Sequence, residues 1–145
     1  MGAEQSRVDL HDHETSSHIP TYITRVTSNF ILALYNGIFY ACIIIRPATV
    51  IKDGYTVYFF HFKGEAEVPS NCIIGNLWCL MNCEITYTDA NGKKCTGRII
   101  GTDQNNVDSN YDQPMNFFVY NCNQCEWVSF PYIFMTREQA RLLCG

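Results

Sequence analysis

Residues 26 to 45 contain no charged side chain, and Asn36-Gly37 lies near the middle of this stretch. An uncharged stretch of this length is long enough to cross a bilayer as a helix. Asn-Gly between apolar residues instead favours a β-hairpin, because a type I′ turn requires positive φ at both central positions. The sequence therefore predicts two paired strands, residues 30–35 and 38–45, in preference to a membrane-inserted segment.

Short apolar segments separated by turn residues recur along the rest of the chain. About seven or eight short strands at this spacing are typical of an antiparallel sandwich or a small barrel. The predicted fold is therefore mainly β, and no internal repeat is evident in the sequence. The further strands are predicted at residues 56–62, 84–88, 95–100, 115–120 and 126–134 and in an apolar run at residues 72–83 that is broken at Gly75-Asn76, with a polar loop at residues 101–114.

The two ends of the chain differ from its middle. Residues 1–20 are polar, and we predict a flexible N-terminal arm ahead of a single β-rich domain at residues 21–145. At the other end, Thr136 and Gln139 have the spacing of a capping box. This spacing predicts a short C-terminal helix.

The charge balance limits the classes of partner. The net charge is −4, charged residues make up 17% of the sequence, and Lys93-Lys94 is the longest basic run. A nucleic-acid partner requires a positive field that can replace the counterions around phosphates. We therefore predict protein partners and no nucleic acid.

The segment from Met1 to Ser6 matches an N-myristoylation signal. Gly2 follows Met1, and Ser6 occupies the position where this signal requires serine or threonine. Residues 1–18 are too polar for an export signal. A single myristoyl chain binds a bilayer only reversibly, with an association constant on the order of 10⁴ M⁻¹. The predicted location is cytoplasmic and peripheral to a membrane, with a protein partner supplying the rest of the attachment.

Two close cysteine pairs suggest a zinc site. The pairs are Cys79 with Cys83 and Cys122 with Cys125, and four thiolates bind Zn²⁺ tetrahedrally. If the first pair lay in a strand, its two members would be about 13 Å apart, which is too far for one ion unless the strand bends. Without export the thiols are expected to stay reduced, most of them as small buried side chains. A soluble zinc-stabilised β-domain without lipid is the alternative to a protein that docks to a membrane through its lipid.

Catalytic motifs are not evident in the sequence. His61 is the only histidine of residues 21–145, and a cysteine paired with it would be the remaining route to nucleophilic catalysis. No phosphate-binding glycine loop, metalloprotease helix or nucleophile elbow occurs. We therefore predict a non-enzymatic protein, with a cysteine-dependent enzyme as the least favoured alternative.

Aromatic side chains on the predicted strands suggest a binding face. Such residues are enriched where proteins bind peptides, although most strand aromatics belong to the core. Trp127, beside a polar turn, is the leading candidate, and the further candidates are Trp78, Tyr87, Tyr120 and Tyr132. The sequence thus predicts a protein-interaction module that docks reversibly to a membrane through an N-myristoylated arm.

Overall fold

The computed structural model describes residues 25–104 and 115–143. Within them the fold is mainly β, as the sequence predicts, and neighbouring strands are antiparallel throughout. The predicted arm, the Gly2 signal and most of the predicted polar loop lie outside the described residues. The elements are β1 (Phe30–Tyr35), β2 (Ile38–Pro47), β3 (Gly54–Phe59), β4 (Gly64–Pro69), β5 (Ile73–Ile74), β6 (Glu84–Thr88), β7 (Lys94–Thr102), β8 (Asn116–Asn121), β9 (Gln124–Ser129), β10 (Ile133–Thr136) and the helix α1 (Arg137–Arg141).

Strands β1 and β2 form the predicted hairpin. Asn36 and Gly37 join them with φ values of 51° and 84°, the positive values that a type I′ turn requires. Phe30 to Leu34 is buried without interruption, so the uncharged stretch belongs to the core of a sheet. Among the residues that the structure describes, no helix is long and apolar enough to cross a membrane.

The first half of the protein, β1 to β5, forms a small barrel. Strands β1 to β4 pair in sequence order. The 3₁₀ turn Ser70–Cys72 then leads into β5, which pairs with β1. Strands β4 and β5 are therefore the two ends of this strand order, yet a turn of only 3 residues joins them. The sheet must curl round on itself to bring these ends together.

The second half, β6 to β10, repeats this arrangement. Strands β6 to β9 pair in sequence order, and the 3₁₀ turn Phe130–Tyr132 leads into β10, which pairs with β6. The expectation of no internal repeat is therefore wrong at the level of structure. The two 3₁₀ turns define equivalent positions, so Pro69 before the first turn corresponds to Ser129 before the second.

The extent of several strands differs from the prediction. The predicted strand 126–134 is split, because Pro131 in the 3₁₀ turn has no N–H to donate to a sheet. The apolar run 72–83 is interrupted at Gly75-Asn76, as predicted, but only the 2-residue β5 before the break is a strand, and the 3₁₀ turn Leu77–Leu80 follows it. Asn76 caps this turn by accepting the N–H of Trp78 at 3.1 Å. Strand β4 has no counterpart in the prediction.

Strand β10 and Phe130 join the two halves. Strand β10 pairs with β6 on one side and with β2 on the other, where Phe134 lies opposite Tyr40. The fully buried Phe130 ring lies 5.8 Å from the ring of Phe30 and 6.0 Å from that of Phe60, both in the first half. The strands therefore form one continuous sheet around one hydrophobic core.

Helix α1 is the predicted C-terminal helix, and it has the predicted cap. The N–H of Gln139 donates to Thr136 Oγ1 at 3.0 Å, and the N–H of Thr136 donates to Gln139 Oε1 at 3.0 Å. These reciprocal bonds satisfy backbone donors that a helix leaves free at its start.

A carboxylate on β4 fixes the loop between β2 and β3. Glu67 accepts hydrogen bonds from the backbone N–H groups of Thr49, Val50 and Ile51 at 2.8, 3.0 and 3.0 Å. These bonds lower the pKa of Glu67 from its ordinary value of 4.5, and the bond from the Thr49 N–H has the largest effect. The loop therefore depends on the ionised form of this side chain.

This dependence predicts an effect of acid on stability. Because folding lowers the pKa of Glu67, its contribution is complete above about pH 4.5 and is lost as the pH falls through the lower folded-state value. Glu67→Gln should therefore melt below the wild type at neutral pH, by a small amount at this solvent-screened site, and the gap should narrow as the pH falls below about 4.5. Thermal melts followed by circular dichroism measure the gap. A gap that stays constant with pH would contradict this role.

Candidate functional site

Two exposed aromatic side chains line one cleft on the second half. Of the described Phe, Tyr and Trp residues, Trp127 and Tyr132 are the most exposed, at 57% and 55%. Both line a cleft of about 400 Å³ between β9 and the turn that joins β6 to β7. We call it the acidic cleft. Its walls include Thr88, Asp89 and Gly92 on the side of the turn, and Glu126, Trp127 and Tyr132 on the side of β9.

The position of each ring follows from its local structure. Alternate residues of β9 face the barrel interior, so Val128 is buried while its neighbour Trp127 is exposed. The Trp127 ring lies 4.9 Å from the ring of Phe118 on β8, which supports it from the side of the sheet. Tyr132 ends the 3₁₀ turn, and this turn brings the chain from β9 back to β6.

Asp89 supplies one negative charge to the cleft. Its Oδ1 accepts hydrogen bonds from the backbone N–H groups of Asn91 and Lys93, each at 2.9 Å, within the turn that Gly92 allows with its φ of 81°. The bond from Lys93 foremost lowers the pKa of Asp89 from its ordinary value. This carboxylate therefore keeps its charge at neutral pH.

Glu126 supplies a second carboxylate, and a buried tyrosine fixes its position. The hydroxyl of Tyr87 donates to Glu126 Oε2 at 2.8 Å, and Asn121 Nδ2 donates to the Tyr87 hydroxyl at 3.0 Å. Burial foremost, together with the bond to Glu126, raises the pKa of Tyr87 to about 12. Tyr87 therefore stays protonated and remains the donor to Glu126.

A second groove adjoins the acidic cleft where the two halves meet. This interhalf groove has a volume of about 470 Å³ and shares Thr88 and Tyr132 with the acidic cleft. Lys63 lines this groove, and Lys94 Nζ lies 5.7 Å from the centre of the ring of Phe134, which is another lining residue. Its further lining residues are Tyr58, Phe60, His61, Pro131 and Phe134.

The structure brings Trp127 and Tyr132 together in one cleft, whereas Tyr87 is buried and Trp78 and Tyr120 do not line the cleft. Trp78 lies half-buried against the core in the 3₁₀ turn Leu77–Leu80, and its Nε1 bonds to none of the described groups. Asp89 and Glu126, the two carboxylates of the cleft, are not singled out by any sequence pattern. Asp89 is recognisable in the sequence only as a turn residue, and Glu126 only as the neighbour of Trp127.

The two cysteine pairs lie in different local structures. Cys79 is in a 3₁₀ turn, and Cys83 Sγ donates to the Cys79 carbonyl at 3.4 Å, so the extended geometry assumed for this pair is wrong. Cys122, with a φ of 50°, and Cys125 are exposed at the turn between β8 and β9. Within residues 25–104 and 115–143, no three His, Cys, Asp or Glu side chains are placed to hold a metal ion.

Two further thiols have pKa values that disfavour reaction. Burial raises the pKa of Cys42 well above its ordinary value, and burial together with the nearby Asp89 raises that of Cys95. A thiol with a raised pKa is less often the reactive thiolate at neutral pH. His61, the histidine with which a catalytic cysteine would pair, stacks on Tyr40, with ring centroids 5.1 Å apart.

Comparison with solved structures identifies a similar fold. The crystal structure of Crb2 tandem tudor domains matches with a TM-score of 0.55 and 19% sequence identity, over 83% of this chain and 86% of that chain. In fold, this chain is similar to tandem tudor domains. The two halves of this fold, which repeat one strand arrangement, agree with a tandem arrangement. No family model matches the sequence, and neither does any curated protein.

Proposed function

We propose that this tudor-like protein is a non-enzymatic interaction module whose acidic cleft binds a basic segment of a partner protein. The observation that carries the proposal is the presence of two exposed rings, Trp127 and Tyr132, and two carboxylates, Asp89 and Glu126, in one cleft. The likeness in fold to tandem tudor domains supports a protein-binding module over an enzyme.

A lysine or arginine side chain is the ligand that suits these groups. Aromatic faces attract a cation within about 6 Å of the ring centroid, by about 0.5–1 kcal/mol where solvent has access. Carboxylates accept charge-assisted hydrogen bonds from ammonium and guanidinium groups. Both carboxylates are held before a ligand arrives, Asp89 by backbone N–H groups and Glu126 by Tyr87. Little ordering of the protein is therefore required on binding.

An array of short peptides tests this proposal. The peptides alternate valine and threonine around one central residue, which is lysine, arginine, trimethylated lysine, norleucine or glutamate. We expect binding of the lysine and arginine peptides and none of the glutamate peptide, as measured by fluorescence anisotropy of labelled peptides. Trimethylated lysine keeps the charge and loses the hydrogen-bond donors, so it separates the contribution of the rings from that of the carboxylates. Equal binding of the norleucine peptide would contradict a cation site.

We further propose that the chain is N-myristoylated at Gly2 and docks reversibly to a membrane. The support is the sequence from Met1 to Ser6. A single acyl chain gives only marginal attachment, so a partner held in the acidic cleft would supply the second contact with the membrane. The location that follows is cytoplasmic and peripheral.

Acylation has a direct test. Co-expression with an N-myristoyltransferase should add the mass of one myristoyl group to the wild type and nothing to the Gly2→Ala variant, as measured by intact mass spectrometry. Vesicle sedimentation should then retain the acylated wild type more than Gly2→Ala. An unmodified wild type would remove the membrane part of the proposal and leave the acidic cleft untouched.

A further inference from the structure

We infer that the partner segment binds as an added β-strand along the free edge of β9. This inference rests on the proposed function, because it specifies how a basic segment would occupy the acidic cleft. Strand β9 ends the strand order of the sheet and pairs only with β8 among the described strands. An unpaired strand edge offers a row of backbone donors and acceptors to an extended peptide.

The register of the β8–β9 hairpin defines which backbone groups are free. Cys122 and Asn123 form a two-residue turn with φ values of 50° and 71°, and Asn121 lies opposite Gln124. In such a hairpin the pair that closes the turn is hydrogen-bonded, and every second pair after it is also bonded. The N–H and C=O groups of the intervening β9 residues therefore point away from β8. These residues are Cys125, Trp127 and Ser129.

The free edge faces the acidic cleft. Four consecutive β9 residues, from Glu126 to Ser129, line the cleft. Successive side chains of a strand point to opposite faces, so side chains alone would give alternate lining residues. An unbroken run of four indicates that the main-chain edge of β9 forms the wall. A peptide in the cleft is thus in position to continue the sheet.

The equivalent edge of the first half is closed to such pairing. Strand β4 is the other end of the strand order. Ser70 N–H donates to the Asp53 carbonyl at 2.9 Å, so the adjacent Pro69 directs its nitrogen away from β3, where it offers no donor. Proline and charged residues are the usual means by which proteins block a sheet edge. The residues before the 3₁₀ turns Ser70–Cys72 and Phe130–Tyr132 can be paired by their distance from the turn. The equivalent pairs are Glu65 with Cys125, Glu67 with Trp127, and Pro69 with Ser129.

Charge selects the occupant of the open edge. The N-terminal arm carries Glu4, Asp9, Asp12 and Glu14 against Arg7, so it would bring like charge to Asp89 and Glu126. A β9 edge from a second copy would bring a second Glu126 to the same cleft. Like charges in close contact disfavour both arrangements. A basic segment of another protein has the complementary charge.

The Ser129→Pro variant tests edge pairing. Ser129 has a φ of −74°, close to the −69° of Pro69, so proline fits the folded backbone at this position. Proline removes one outward N–H and places its ring where the added strand would lie. We expect the lysine peptide to bind Ser129→Pro about tenfold more weakly than Ser129→Ala, in which the hydroxyl is equally absent and the N–H is kept. Fluorescence anisotropy measures both affinities, and circular dichroism confirms folding.

Hydrogen exchange of the wild type provides a readout that does not depend on the variant. Saturation with the lysine peptide should slow the amide exchange of Cys125, Trp127 and Ser129. Strand addition would be overturned if Ser129→Pro and Ser129→Ala bound the peptide equally, or if the exchange of these amides did not change. In either case, binding of the peptide to the wild type would still support the proposed function. Absence of binding to the wild type would overturn both. Self-association of the wild type that Ser129→Pro abolishes, detected by light scattering, would make a second copy the occupant and overturn the choice of a basic partner.

Discussion

Replacing Trp127 with alanine is expected to weaken binding of the lysine peptide about thirtyfold, the effect of losing about 2 kcal/mol at an aromatic hot spot. The Trp127 ring is 57% exposed, yet the Phe118 ring 4.9 Å away supports it. Little side-chain entropy is therefore lost when a ligand covers the ring. Anisotropy of a labelled peptide measures the loss without depending on tryptophan fluorescence.

Two further variants show whether the effect belongs to the acidic cleft. Trp127→Phe keeps an aromatic face and should recover part of the affinity. Tyr120→Ala removes another exposed aromatic residue, on β8, whose side chain is 43% exposed and which does not line the cleft. If Tyr120→Ala weakened binding as much as Trp127→Ala, the peptide would be binding exposed apolar surface in general, and the assignment of the cleft would fail.

Replacing Phe130 with alanine should destabilise the whole protein by about 3–5 kcal/mol, the usual cost of truncating a buried phenylalanine. The reason is its place between the halves, where its ring contacts Phe30 and Phe60. Because β10 also joins the halves, we expect one unfolding transition in urea for both the wild type and the variant, with the midpoint of the variant lower. Chemical denaturation followed by circular dichroism measures the midpoint.

The neighbouring Tyr132 provides the control for this experiment. It belongs to the same 3₁₀ turn as Phe130 but is 55% exposed, so Tyr132→Ala should change the stability by about 0.5 kcal/mol or less. Two separate transitions in Phe130→Ala, with only one displaced from the wild-type midpoint, would show that the halves fold independently. That result would contradict the single domain that we predict for residues 21–145.

The parts of the fold that the sequence predicts well are those that depend on neighbouring residues. Asn36 and Gly37 specify their own backbone angles, and Thr136 caps the helix that begins one residue later. Strand β4 is absent from the prediction because Gly64, Pro69 and two glutamates have low strand propensity. Its formation depends on β3, which supplies hydrogen bonds along its whole length.

The structural repeat and the site depend on residues that are distant in the chain. The two halves resemble each other more in which positions are buried than in which residues occupy them. Val68 and Val128 are equivalent buried residues, whereas Pro69 is replaced by Ser129. Because few equivalent positions carry the same residue, the repeated pattern of burial is not evident from the sequence. Asp89 and Glu126 line the same cleft because the fold places the β6–β7 turn beside β9. Trp127 is a candidate because of its place beside a polar turn, which is a local signal.

The pairing of β10 with strands on both of its sides has a consequence for selectivity. Since β10 is bonded to β2 and β6 at once, the halves have one fixed orientation, unlike domains connected by a flexible linker. A linker would let each contact of a partner form independently and would tolerate many spacings. Here a partner that reaches from the acidic cleft into the interhalf groove must carry its two contact groups at a single separation. The distance between those groups along the partner would then discriminate among ligands in addition to their chemistry.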